Sequence, residues 1–166
     1  PIAAGIAVAR LYQLNLGARE IATVLDRGNR SGIGIGAFDQ GGFLIDGGRG
    51  KSDEPPRITS RVTFASEWRI LLIFDLLAQG LHGADEDEVF RALPQFPEAS
   101  AAHLCRLVLM HLMPALVEAD IQEFGKAVSE LQRVVGDYFA PAQGGRYASH
   151  KVSEVLAWLE SQGVNC

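Results

Sequence analysis

The chain has 166 residues, of which 48% are hydrophobic and 21% are charged, a composition typical of a globular protein with a sizeable core and not of a disordered or fibrous one. Its formal net charge of −5 argues against a general nucleic-acid binder, because such proteins normally present a basic surface. No apolar run approaches the length of a membrane span, so we expect neither a nucleic-acid nor a membrane partner. Cys105 and Cys166 would make a poor disulfide framework, which favours a reducing cytoplasm.

The first 28 residues predict two helices. A stretch rich in alanine, isoleucine and leucine predicts a mostly buried helix that stops at Gly17. A second helix is predicted to follow, with Ile21, Val24 and Leu25 on one face, and to end at Gly28.

Residues 30–48, RSGIGIGAFDQGGFLIDGG, contain seven glycines among apolar residues. Glycine weakens regular elements because it costs conformational entropy and leaves nothing to pack, so this density indicates bulges, tight bends or close approach of the backbone to a ligand. The pattern predicts a loop that leads into a strand with GGFLIDGG as its apolar core. A hairpin loosened by glycine, without a ligand, is the alternative.

The polar segment of residues 49–56 contains two prolines and predicts a boundary between a first domain, 1–50, and a second domain, 51–166. After it, RITSRVTF alternates and predicts a strand whose inner face carries Ile58, Val62 and Phe64. The continuous apolar run WRILLIFD then predicts a buried central strand.

The rest of the chain predicts helices. ADEDEVFRAL begins one with acidic residues in its first turn, and residues 98–119 form another, on whose apolar stripe His111 is expected to be a core or subunit-interface residue. Asp120 and Glu123 have the spacing of a capping box, and Ser149 precedes the last helix. Because helices outweigh strands, we expect the α+β class.

Motifs of several common enzyme classes are absent from the sequence. There is no GxxxxGK[ST], no strand–glycine–helix unit for a dinucleotide and no GxSxG elbow. Cys105, Cys166 and the four histidines lack metal-ligand spacing, so the sequence predicts no metal bound by protein side chains.

Polar residues beside glycines are the candidates for chemistry. Arg30 and Ser31 lead into the glycine stretch, where free backbone N–H groups could hold an anion, although a solvated turn has the same local sequence. Arg57 and Arg61 share one strand face, as a clamp on phosphate or carboxylate would need, although that face is also the solvated outer one. His82 suits a general acid, a general base or a hydrogen-bond donor near neutral pH, or a surface cap.

Two further segments have both a functional and a purely structural interpretation. The acidic residues 85–88 would suit magnesium, but acids in the first turn of a helix need no ligand to explain them. Gln143, Arg146 and Tyr147 in APAQGGRYAS could reach a small ligand or could simply form a turn.

The stretches RSGIGIGAFDQGGFLIDGG and AQGGRYAS, with LHG…E and DIQEFGKAVSELQ between them, resemble β-ribofuranosylaminobenzene 5′-phosphate synthases. This family belongs to the GHMP kinase superfamily and serves tetrahydromethanopterin biosynthesis. The resemblance covers essentially the whole chain. It implies that residues 1–50 end an N-terminal α/β domain and that residues 51–166 belong to a C-terminal, ferredoxin-like α+β domain. It also implies a phosphate loop before Pro1 and a glycine–tryptophan segment after Cys166, so we interpret the sequence as an internal piece.

Kinases of the superfamily carry Ser-Gly-x-Asp, with a glycine pair ten positions after the serine. Ser31, Gly32, Gly41 and Gly42 match this pattern, but Gly34 stands where the kinases have aspartate. The carboxylate that would position or deprotonate a phosphoryl acceptor is therefore missing, which disfavours ATP-dependent phosphorylation.

The reaction that the resemblance implies condenses phosphoribosyl pyrophosphate with 4-aminobenzoate, forming a C–C bond and releasing pyrophosphate and CO2. Such a reaction needs anion-binding groups, Mg²⁺ on the pyrophosphate and a pocket that excludes water. We expect the two substrates and a second copy of the chain, in a homodimer, as partners. An ATP-dependent GHMP-type kinase and a non-catalytic binding domain are the alternatives.

The resemblance also implies roles for particular residues. We expect His82 as proton donor or ligand contact and Asp39 shaping the loop or touching ribose. The expected substrate-binding residues are Arg30, Ser31 and Gly32 near the phosphates, Gly41 and Gly42 in the loop, Arg57 or Arg61 on a carboxylate or phosphate, and Gln143 with Gly144 as a second wall.

Overall fold

The computed structural model describes residues 1–48, 50, 54–76, 88–89 and 91–164, and the chain divides into two compact units, Pro1–Phe64 and Ala65–Cys166. Helices and one two-stranded sheet make up the regular structure of the described residues, so the predicted α+β class is confirmed. The first unit extends beyond the segment predicted as the boundary, because a strand after that segment pairs with a strand before it.

The first unit holds α1 (Ile2–Leu11), α2 (Ala18–Val24), α3 (Ile33–Asp39), β1 (Phe43–Asp46) and β2 (Ile58–Val62). The two strands pair antiparallel, with Phe43 opposite Val62, and the register shifts between Ile45 and Asp46. The predicted alternation of β2 is confirmed: Ile58, Ser60 and Val62 are half-buried, and Thr59 and Arg61 are exposed.

Helix α3 occupies part of the glycine-rich stretch for which the sequence predicted a loop, so that prediction is wrong for these residues. Each glycine inside a helix costs about 0.5–1 kcal/mol relative to alanine, so local propensity does not favour α3. Ile35 is buried in a cluster with Ala22 of α2. A Cβ on Gly36 would lie 2.8 Å from Cγ1 of Ile58, so glycine lets α3 approach β2 closely. Tertiary packing therefore outweighs the local preference.

Helix α1 is shorter and more exposed than its sequence predicts. It ends at Leu11, not at Gly17, because the chain turns at Tyr12 and Gln13, where Gln13 has a φ of +55°. Ala9 is its buried residue, and the side chain of Leu11 is 76% exposed. The prediction of a mostly buried first helix is wrong.

The run WRILLIFD forms no strand in the structure. Leu71 is 81% exposed and Phe74 is 76% exposed, and no strand in the described part of the chain pairs with this run. The predicted buried central strand is therefore wrong, because hydrophobicity alone does not supply the neighbouring strands that would bury both of its faces.

The second unit holds α4 (Glu98–Leu107), a π turn (Val108–Leu112), α5 (Met113–Glu118), α6 (Ile121–Gln143) and α7 (His150–Ser161); residues 88–89 and 91–92 are also helical. The π turn lies just before Pro114, whose ring and missing N–H disturb the regular helical ladder. Leu112 and Leu116 are buried, but His111 is exposed, so it does not lie in the core. Its other predicted position, at a subunit interface, stays a prediction.

The predicted helix caps of the second unit are confirmed. The side chain of Asp120 accepts hydrogen bonds from the N–H groups of Gln122 and Glu123, each at 3.0 Å, and Ser149 Oγ accepts the N–H of Val152 at 3.2 Å. Contrary to the expectation that no apolar run approaches the length of a membrane span, the helical segment Glu98–Glu118 is long and apolar enough to cross a membrane by length and composition. This is weak evidence for a span, since core helices of soluble proteins pass the same test.

Candidate functional site

The amino end of α3 is tied to the end of β1 by the carboxylate of Asp46. Its Oδ2 accepts hydrogen bonds from Ser31 Oγ at 2.6 Å and from the N–H of Gly32 at 3.0 Å. Its Oδ1 accepts the N–H of Gly48 at 3.0 Å. Ser31 Oγ also accepts the N–H of Ile33 at 3.2 Å, so one small network fixes the turn that precedes α3.

The electrostatics of this network keep Asp46 ionised. Burial raises the pKa of the Asp46 carboxyl, but the hydrogen bonds from Ser31, Gly48 and Gly32 outweigh this effect and leave the pKa lowered from its usual value. The hydroxyl of Ser31 and the N–H of Gly32, both expected near the phosphates, are thus already bonded to Asp46. Sequence analysis gave Asp46 no role, although an aspartate before two glycines is the signal of a turn in which its side chain bonds the backbone.

A cavity of about 330 Å³ lies beside this network and is lined by Pro1, Ile2, Arg27, Gly28, Ser31, Gly34 and Ile35. Arg27 is its cationic residue, and within the described residues the guanidinium of Arg27 has no hydrogen-bond or ion-pair partner. The sequence pointed to Arg30, because Arg30 directly precedes Ser31, and not to Arg27; both arginines are exposed. The signal for Arg27 was its place next to Gly28, at a turn between helices.

The carboxyl end of α3 gathers a second group of predicted residues. Arg61 Nε donates to the carbonyl of Gly41 at 2.9 Å, and Arg61 Nη2 donates to the carbonyl of Gln40 at 3.0 Å. Gly41 and Gly42 have φ values of +62° and +88°, which L-residues with side chains rarely adopt. A cation on the last carbonyls of a helix stabilises that end, so these contacts give Arg61 and the glycine pair a structural role.

Asp39 lies near this end of α3 but lines a different space. It borders a cavity of about 520 Å³ together with Arg10 and Phe38. The Asp39 side chain accepts a hydrogen bond from Gln40 Nε2 at 3.4 Å. The structure thus separates Asp39 from the cavity that Ser31 and Arg27 border.

Arg57 belongs to a third place in the first unit. Glu54 Oε2 accepts a hydrogen bond from Arg19 Nη2 at 3.1 Å and a longer one from Arg57 Nη2 at 3.4 Å. The hydrogen bond and charge of Arg19, with the charge of Arg57, lower the pKa of the Glu54 carboxyl. With its side chain 78% exposed, Arg57 keeps most of its surface in water.

Gln143 and Gly144 lie in the second unit, at the carboxyl end of α6. Gln143 Nε2 donates to the carbonyl of Arg146 at 2.9 Å, and Arg146 Nε donates to Asp137 Oδ1 at 2.8 Å. Gly144 ends the helix with a φ of +83°. These contacts are made within the AQGGRYAS segment and stabilise it as a turn, which is the purely structural interpretation given for it from the sequence.

The second unit also contains a groove of about 620 Å³ that sequence analysis did not foresee. Glu130 on its wall accepts hydrogen bonds from Arg133 at 2.7 and 2.8 Å and contacts His103 Nε2 at 3.0 Å. The hydrogen bond from Arg133, with a smaller contribution from His103, lowers the pKa of the Glu130 carboxyl to about 2, although burial opposes the shift. Phe96 and Tyr138 meet edge to face beside them, with ring centroids 4.8 Å apart.

Within the first unit, the predicted residues therefore fall into separate groups. Ser31 and Gly32 lie at one end of α3, and Gly41, Gly42 and Arg61 lie at the other. His82 and the acidic residues 85–87 fall outside the described residues. Among the residues that the structure describes, no group of three or more His, Cys, Asp or Glu side chains could hold a metal ion.

No family model matches the sequence. Three curated proteins named β-ribofuranosylphenol 5′-phosphate synthase do match it. The protein of Archaeoglobus fulgidus is 35% identical over 145 residues, which are 80% of this chain and 46% of that protein. Those of Methanothermobacter thermautotrophicus and Methanocaldococcus jannaschii are 34% identical over 137 residues and 35% identical over 147 residues.

These two matches cover 75% and 79% of this chain and 42% and 44% of the relatives, so the chain spans less than half the length of the proteins it matches. The identity nevertheless extends over most of the chain and includes both units. The predicted family is confirmed: the chain belongs to the family of these ribofuranosyl 5′-phosphate synthases.

Proposed function

We propose that the chain is part of a synthase that joins the ribose of phosphoribosyl pyrophosphate to the ring of 4-aminobenzoate in tetrahydromethanopterin biosynthesis. The C1′–O bond to pyrophosphate breaks, and a C–C bond forms at the ring carbon that bears the carboxylate. The bond between that ring carbon and CO2 then breaks, and its electron pair restores the aromaticity of the ring. The single observation that carries this proposal is the 35% identity over 145 residues to a protein named β-ribofuranosylphenol 5′-phosphate synthase.

The proposal also has to specify the substituent on the ring of the acceptor. The relatives' printed names specify a phenol product, whereas the resemblance noted in the sequence names an aminobenzene. Amino and hydroxyl groups both donate electron density to the ring carbon opposite them, so both acids are chemically competent to attack the ribose cation. 4-Hydroxybenzoate therefore belongs in every assay beside 4-aminobenzoate.

The first unit offers groups suited to the phosphates of the donor. The cavity at the amino end of α3 is lined by Arg27, the half-buried Gly28 and the exposed Gly34. An arginine can hold phosphate oxygens through two parallel hydrogen bonds. Mg²⁺ would arrive as part of the substrate, bound to the pyrophosphate. The reaction needs no nucleophilic side chain, which fits a sequence without a triad.

The remaining roles stay predictions of this proposal. His82 would supply a proton or a ligand contact, and Asp39 would touch ribose. Gln143 and Gly144 would form a second wall of the pocket, and a homodimer in the cytoplasm would be the working form.

The proposal is tested by decarboxylation. The full-length polypeptide that contains this sequence is incubated with Mg²⁺, phosphoribosyl pyrophosphate and carboxyl-labelled 4-aminobenzoate or 4-hydroxybenzoate, and labelled CO2 is counted. We expect release only when both substrates and Mg²⁺ are present. Absence of release with either acid, together with ADP formation from ATP on a sugar or alcohol acceptor, would replace the proposal with a GHMP-type kinase.

A further inference from the structure

Residues 70–74, ILLIF, form an apolar segment of the second unit in which every residue is exposed. Leu71 is 81% exposed, Leu72 is 68% exposed and Phe74 is 76% exposed. The segment contains no turn or bend. A contiguous apolar surface marks an interaction site, because contact with water is unfavourable for so many apolar side chains.

Both ends of this apolar segment are fixed to helices of the same unit. At one end, the ring of Trp68 packs against Phe124 of α6, with ring centroids 5.1 Å apart. At the other end, Asp75 Oδ2 accepts a hydrogen bond from the hydroxyl of the buried Ser149 at 2.8 Å. The segment is therefore held between two anchors, so its pairing with a partner costs less conformational entropy than the ordering of a free loop would.

The backbone of the apolar segment is open to a partner as well. Among the residues that the structure describes, no backbone–backbone hydrogen bond involves residues 70–74, and the sheet consists of β1 and β2. A row of N–H and C=O groups without backbone partners, on a run of apolar residues, is a template for an added strand.

The partner must supply more than one strand. Successive residues of an extended segment point to opposite faces, so the exposed Leu71 and Leu72 make both faces apolar. Strands that are apolar on both faces are typical of sheets with cover on both sides. A second copy of the chain, related by two-fold symmetry, would pair the segment with itself along one edge and leave its other edge open.

The polypeptide outside these 166 residues is long enough to provide this cover. The matched residues make up 46% of the Archaeoglobus fulgidus relative, so more than half of that protein lies outside the match. We propose that residues 70–74 are the docking strand for β-strands from the part of the full-length polypeptide outside these 166 residues, within one molecule. This inference rests on the family of the chain and not on the proposed reaction.

Hydrogen exchange tests the pairing in the full-length polypeptide. We expect the amides of residues 70–74 to exchange at least about a hundredfold more slowly than in the same polypeptide unfolded in urea, because paired strands open only rarely. The protection should stay the same after roughly hundredfold dilution, since a partner strand in the same molecule does not depend on protein concentration.

Photo-crosslinking identifies the partner. A benzophenone amino acid replaces Leu71 in one variant of the full-length polypeptide and Leu72 in another, so that each face of the segment carries a probe. After irradiation, we expect mass spectrometry of the single-chain product to find crosslinks to peptides outside the 166 residues. The polypeptide unfolded in urea is the control and should not form them.

Substitution measures what the cover contributes to stability. Leu72→Ala is expected to lower the Tm of the full-length polypeptide by at least about 4 °C, as the loss of a buried leucine side chain does. Ser66→Ala, at an exposed position outside the apolar segment, is the matched control and should shift the Tm by less than about 1 °C.

Fast exchange of residues 70–74 in the full-length polypeptide, or a Leu72→Ala protein with the Tm of wild type, would overturn the inference. Crosslinks that join two polypeptide chains would overturn it too, because they would assign the segment to a second copy. Slow exchange together with crosslinks inside one chain would support it, whatever the decarboxylation assay shows.

Discussion

The Asp46 carboxylate joins two segments that lie 15 residues apart in sequence through its bond with Ser31 Oγ. Its Oδ2 also accepts the N–H of Gly32, a group that the start of α3 leaves without an internal partner, and its Oδ1 accepts the N–H of Gly48 after β1. Two glycines of the same stretch have separate structural roles. Gly36 leaves room for the side chain of Ile58, and Gly42 adopts a positive φ. At the scale of residues, the glycine-rich stretch is a compact structural joint.

Replacing Asp46 tests this joint. Asp46→Asn keeps one acceptor oxygen but loses the charge and the second acceptor, so we expect a loss of about 1–3 kcal/mol in the free energy of unfolding. The measurement is urea denaturation at pH 7. Asp39→Asn is the matched control, since Asp39 accepts only the long bond from its neighbour Gln40. An Asp46→Asn protein as stable as the Asp39→Asn protein would contradict the role assigned to Asp46.

Elements whose signals are local follow the sequence closely. The caps of α6 and α7 and the alternation of β2 are confirmed, because a cap depends on residues three apart and a half-buried strand depends on a period of two. Elements whose stability comes from distant partners depart from what the sequence predicts. Helix α3 forms in a segment of low helix propensity, and α6 continues through Gly136 to Gln143.

The amino-terminal cap of α6 provides a prediction at this scale. Asp120→Ala removes the acceptor of two backbone N–H groups, and we expect it to lower the free energy of unfolding by about 1 kcal/mol. Asp120→Asn should cost a few tenths of that value at most, since asparagine caps as well as aspartate does. Thermal denaturation followed by circular dichroism would measure both; equal losses would show that charge, and not the cap, stabilises this end.

The stability of the chain depends on ionised carboxylates in both units. The pKa values of Asp46, Glu54, Glu130 and Asp137 are all lowered by hydrogen bonds or cationic neighbours that outweigh burial. A carboxyl whose pKa is lower in the folded than in the unfolded chain adds stability above its unfolded pKa. That contribution is lost as the pH falls through the folded pKa, because the unfolded chain then takes up more protons.

We therefore expect the urea midpoint to hold between pH 7 and pH 6 and to fall steadily in acid. For Glu130 the loss should extend from its usual pKa of 4.5 down to about 2. Glu130→Gln should flatten this part of the profile, whereas Glu98→Gln, in the exposed first turn of α4, should leave it unchanged. A Glu130→Gln profile parallel to that of wild type would reject the contribution of the His103–Glu130–Arg133 network.

The amino-acid sequence by itself determined the α+β class, the family, the capped helices of the second unit and the alternating strand β2. These features depend on periodicity and on signals within a few residues. Only the tertiary structure decided that the glycine stretch contains a helix, that α1 and the run WRILLIFD are exposed, and that Ser31 is bonded to Asp46. Each of these depends on contacts, or on missing contacts, between residues far apart in the chain. Gly36 illustrates the difference: the sequence shows only one glycine among several, but the tertiary structure shows that a Cβ there would lie 2.8 Å from Cγ1 of Ile58.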